Sequence, residues 1–227
     1  MTAERLHYLL VKGLLADGVC PSNRRLAEEL QIGEPQLEEL FGALSEMHGV
    51  VLHPHVCEPW VVHPFSLTPT LNWVENSSGW GWWSPCIWCA FGVAVLAGGE
   101  VAIHTRAGAE SAPLVLQVKD GEPLDGHGLW VHFAIPPARA WNNVHQHCSL
   151  VLPFHTREDV ARWCSRHGVH QGEPVPLSQV AALARIWYGR HADPGWKKWT
   201  VAEAEEIFQR VGLRSDFWRL GAHRGRF

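Results

Sequence analysis

GWWSPCIWCAFG, residues 81–92, sets Cys86 and Cys89 three apart among Trp82, Trp83 and Trp88, with no charged side chain in the stretch. The apolar run continues to Leu96, and Ile87–Leu96 has the length of a buried helix. Pro85 suits the first turn of such a helix. A disulfide between near neighbours on one helical turn would be strained. A thiol at a helix N-terminus instead feels the positive end of the backbone dipole, which favours thiolate. Thiolate binds soft metals and attacks electrophiles. A zinc ribbon needs a second CxxC, which the chain lacks, and a thioredoxin-like site needs a βαβ setting that this region does not offer. Two readings stand: a dense piece of core, or a buried thiol site.

Working outward towards the N-terminus, Leu6, Leu9, Leu10, Leu14 and Leu15 recur at helical spacing within residues 3–17, before Gly18. Ser22 or Asn23 can cap a second helix that runs to Leu30. A third, from about Glu34 to Met47, buries Leu37, Leu40, Phe41 and Leu44. Two short β-prone runs follow, at Val50–Leu52 and Trp60–Val62. Three helices and a two-stranded wing are the order of a winged helix-turn-helix. Its third helix carries Glu34, Glu38, Glu39 and Glu46 and no Arg or Lys, so phosphates would be repelled and a nucleic-acid partner is not expected. The prolines of the 63–70 junction place a boundary near residue 64, dividing the chain into a winged-helix-like module, 1–64, and a second unit, 65–227.

Working outward towards the C-terminus, strands are expected at 101–106, 114–119, 129–135 and 149–154, separated by glycine-containing turns such as Asp120–Gly121 and Asp125–Gly126. Helices are expected at 158–167, 177–188 and 201–211. Strands in the middle with helices around them give an α+β fold, with a mixed or antiparallel sheet flanked by helices. Glu173 and Gln179 read as structural.

Composition narrows the function. With 46% hydrophobic and 19% charged residues over 227 positions, the chain can bury a core. Thirteen tryptophans suggest an aromatic-walled interior or pocket. A net charge of −4 disfavours a broad nucleic-acid footprint. No run approaches the roughly 20 apolar residues of a membrane helix. The opening MTAERLHYLL lacks the apolar stretch of an export signal, so a cytoplasmic location is expected, where thiols stay reduced. The six cysteines then read as thiols, with Cys20, Cys57 and Cys164 as core residues.

A second stretch, WNNVHQHCS at 141–149, places His145, His147 and Cys148 within four residues, just before an expected core strand. His132, in the run WVHF, is a further candidate neighbour. Taken together, the N-terminal helical module, the segment Trp88–Cys89–Ala90–Phe91, and Cys148 followed by the aromatic strand end at Phe154 resemble the alkylmercury (organomercurial) lyase family. The resemblance spans roughly residues 3–190, and the tail from Trp196 lies outside it.

The resemblance implies that Cys89 and Cys148 take up an organomercurial and that a nearby acid protonates the carbon as the carbon–mercury bond breaks. No cofactor is implied, since mercury is substrate and product. A small organometal or apolar ligand would sit against Trp88, Trp83, His145 and Trp141, with Cys86 as a third metal-holding thiolate. The aspartate that the family places three residues after the first cysteine falls on Gly92, which has no side chain to donate from. His147, His145 and Cys86 are the nearby replacements by sequence, and histidine has the best intrinsic pKa for the task. The alternative is a protein that binds a soft metal or a small apolar ligand in the same pocket without turnover.

Overall fold

The computed structural model describes residues 2–110 and 113–221. It opens with α1 (Ala3–Asp17), α2 (Asn23–Leu30) and α3 (Glu34–Glu46). Thr2 and Ser22 cap the first two through their side-chain oxygens. Gly18 ends α1 at φ 70°, a left-handed position that a side chain would strain. The leucine stripe of α1 is buried against Leu26, Leu30, Leu37, Phe41 and Leu44. An antiparallel hairpin follows, β1 (Val50–Leu52) with β2 (Pro59–Val62).

The next strand, β3 (Phe65–Ser66), pairs with β2, so the sheet runs across residue 64 without interruption. Then come β4 (Asn72–Asn76), β5 (Gly81–Ser84), α4 (Ile87–Ala97), β6 (Glu100–Arg106), β7 (Pro113–Lys119) and β8 (Glu122–Pro123). These build an eight-stranded antiparallel sheet in the order β1-β2-β3-β5-β4-β6-β7-β8. A smaller antiparallel sheet, β10-β9-β11, is formed by β9 (Trp130–Phe133), β10 (Leu152–Phe154) and β11 (Glu173–Pro176). Around it lie α5 (Pro137–Ala140), α6 (Val144–Ser149), α7 (Arg157–His167), α8 (Leu177–Tyr188) and α9 (Val201–Arg210). The fold is α+β, as its alternation of patterns predicts. Among the described residues no helix is long and apolar enough to cross a membrane.

Two features of this frame position the site. The first is α4, buried at Ile87, Cys89, Ala90, Phe91, Gly92, Val93 and Ala94, hence on nearly every face. It lies against the large sheet on one side and α8 on the other. The second is α6. The strand expected over 149–154 begins only at Leu152, because Asn143 caps a short helix by accepting the Gln146 N–H. The stretch around Cys148 is therefore helical. The tail is anchored rather than appended: Trp218 Nε1 donates to Glu173 at 2.7 Å, and Gln179 donates to the Val211 carbonyl at 2.9 Å.

Candidate active site

Pro85 ends the extended run of β5, and Cys86 becomes the N-cap of α4, its Sγ accepting the Cys89 N–H at 3.4 Å. One turn on, Cys89 turns the same way. From the other side α6 delivers Cys148. The Sγ atoms of Cys86, Cys89 and Cys148 lie within 4.8 Å of one another, and all three residues are buried. Cys148, 59 positions beyond Cys89, thus meets the Cys86–Cys89 pair at one point, and the opening stretch is at once dense core and a cluster of thiols.

The three sulfurs are not equivalent. Burial pushes Cys89 up, but hydrogen bonds from the Cys148 and Cys86 thiols and from His63 outweigh it and hold its sulfur well below the ordinary thiol value. Burial pushes Cys86 well up. Cys148 is raised by its hydrogen bonds to Cys86 and Cys89 as well as by burial. These directions favour the thiolate form at Cys89, with two thiols beside it in place of water. His63 Nδ1 lies 3.9 Å from the Cys89 sulfur, and the Tyr188 hydroxyl lies 3.4 Å from it.

Beside the thiols is a cavity of about 40 Å³, walled by Trp88, Trp141, Trp187, Val144, His147, Tyr188 and Lys198. It has room for a few water-sized groups. Trp141 stacks on His48 with ring centroids 4.0 Å apart, and the Lys198 ammonium lies 5.3 Å above the same indole. Lys198 also donates to the His48 carbonyl at 3.2 Å, and burial pushes it down to about 8. Burial pushes His147 down to about 4, so it is neutral near pH 7.

The structure brings together most of the residues that the sequence singles out: Cys86, Cys89, Cys148, His147, Trp88 and Trp141. Trp83 and His145 are the exceptions. Successive residues of a strand face opposite ways, so β5 turns Trp82 inward and Trp83 to the other face. There Trp83 packs on Trp73 and lines a separate depression with Trp80. His145 lies in a groove on the far side of Cys148, 5.0 Å from the Trp60 ring. His132 sits in the small sheet, 3.5 Å from Cys164 Sγ and 3.3 Å from the His170 carbonyl, and does not line the thiol cavity.

Four wall residues carry no local signal in the sequence: His63, Trp187, Tyr188 and Lys198. Each reaches the site by tertiary packing alone. Tyr188 is placed by a glycine. A Cβ on Gly92 would lie 2.3 Å from Tyr188 Cδ2 and 2.7 Å from Cγ, so the phenol ring fills the space where a side chain at 92 would project.

A family model described as alkylmercury lyase (MerB) matches residues 65–189. A solved structure described as the mercury-bound form of MerB2 superposes with a TM-score of 0.61 at 16% identity, over 82% of this chain and 88% of that one. No curated protein matches the sequence.

Proposed function

The chain belongs to the alkylmercury lyase family, and on that premise we propose that it cleaves carbon–mercury bonds by thiol-assisted protonolysis. The observation that carries this reading is the convergence of Cys86, Cys89 and Cys148 beside an indole-walled cavity. Mercury is soft and prefers sulfur to oxygen donors. The Cys89 thiolate takes up an organomercury cation, and Cys148 joins it after losing its proton. Neutral His147, in the same wall, is the base for that proton. Electron density from the sulfurs makes the carbon basic. A proton then forms the new C–H bond while the C–Hg electron pair goes to it, and Hg(II) stays on sulfur. In sum, RHg⁺, the Cys89 thiolate and the Cys148 thiol give RH and a mercury dithiolate, with no proton left over. No cofactor enters, since the metal arrives with the substrate.

The test is incubation with methylmercury chloride and excess small thiol, with methane measured in the headspace. Release above a Cys89→Ser control is expected, and none above it would defeat the reading. The second reading, binding without turnover, is favoured by Gly92, which puts no carboxyl where the family has one. It predicts stoichiometric uptake of methylmercury without methane.

A further inference from the structure

Gly92 and Tyr188 have to be read as a pair. The phenol ring of α8 occupies the volume into which a side chain at 92 would project, with its Cε2 2.8 Å from that Cβ position. Its hydroxyl reaches the sulfur of Cys89 at 3.4 Å, closer than the imidazole of His63 at 3.9 Å. Tyr188 is 3% exposed, and its ring is held 5.7 Å from Trp88 and 5.0 Å from His191. A hydroxyl donor therefore stands beside the sulfur that receives the substrate, in space that the glycine leaves open.

Resting on the lyase reading, we propose that Tyr188 is the catalytic acid, delivering its hydroxyl proton to the carbon on mercury, and that Gly92 is the vacancy that admits it. The step balances within the site. The phenol O–H bond breaks and the C–H bond forms. The C–Hg pair goes to the proton, and the hydrocarbon leaves. The phenolate then takes back the single proton that Cys148 gave up, and the site ends with its hydroxyl restored. An acid in place at hydrogen-bond range is the geometric requirement for such a step, ahead of any consideration of acidity. The same geometry makes Gly92 and Tyr188 interchangeable in principle with a carboxyl at 92 and a small residue at 188.

The experiment follows methane release in a single turnover of the full chain loaded with methylmercury chloride, with bound methylmercury counted after gel filtration. Tyr188→Phe keeps the ring and removes the proton. It is expected to take up one equivalent, as the wild type does, and to release methane about 10²–10⁴-fold more slowly. Tyr188→Ala is expected to be as slow, and Tyr188→Ala with Gly92→Asp to recover at least tenfold over it. Release by Tyr188→Phe at the wild-type rate overturns the assignment. So does a double variant that holds one equivalent yet is no faster than Tyr188→Ala. Wild-type protein that holds methylmercury and gives no methane defeats the lyase reading itself, and the assignment with it.

Discussion

Cys86 has two tasks that a single substitution can separate. Its sulfur caps α4 by accepting the Cys89 N–H, and it is the third member of the thiol group. Serine also caps helices well, whereas loss of a cap costs about 1 kcal/mol. Cys86→Ser is therefore expected to leave the melting temperature nearly unchanged while weakening retention of Hg(II). Competition with a small dithiol would show this as earlier loss of metal. Cys89→Ser and Cys148→Ser are expected to abolish methane release, each leaving mercury with one fewer strong ligand. At this scale the sequence was informative about sulfur, because cysteine pairs in apolar or histidine-rich settings stand out locally. It was silent about Tyr188, which lies 99 positions from Cys89 on a helix whose pattern reads as packing. It misassigned Trp83, because a run of aromatics does not reveal which of two neighbours faces in until the strand exists.

Between elements, the contact that matters most is α4 against α8, where Gly92 lets the phenol ring lie on the helix backbone. Gly92→Ala would force ring and helix apart. A small-to-large change in a packed core costs typically 1–3 kcal/mol, so its urea midpoint is expected to fall with the slope unchanged. Wild-type stability in this variant would show that the two helices yield freely. The long apolar run made α4 legible, as leucine spacing did α1. The element carrying Cys148 was less so: VHQHCS has neither helical nor alternating periodicity, and Asn143 decides the matter by capping. The strands β4, β5 and β11 escaped because glycine, tryptophan and proline blur the period-two signal that marked β6 and β7.

Across the whole molecule, imidazoles are buried where α1 meets the tail. His7 stacks on Trp196 with centroids 3.7 Å apart, and neither of its ring nitrogens makes a hydrogen bond. Burial pushes His7 down to about 3 and His191 well down. Both stay neutral in the fold and take up a proton on unfolding below their usual 6.5. Their stabilisation is therefore complete above pH 6.5 and is lost as pH falls below it, for His7 towards 3 and for His147 towards 4. Each contributes up to about 1.4 kcal/mol per pH unit over that range. Thermal unfolding between pH 7.5 and 4.5 is expected to show the decline, and His7→Phe, which keeps the stack on Trp196, to flatten it.

The same meeting of α1 with the tail governs when the site is finished. Trp196 and Lys198 are added to the growing polypeptide well after every sulfur of the group, yet Lys198 belongs to the wall of the hollow beside them. A chain cut short near residue 190 would thus hold every sulfur of the group and still lack one residue of the wall beside them.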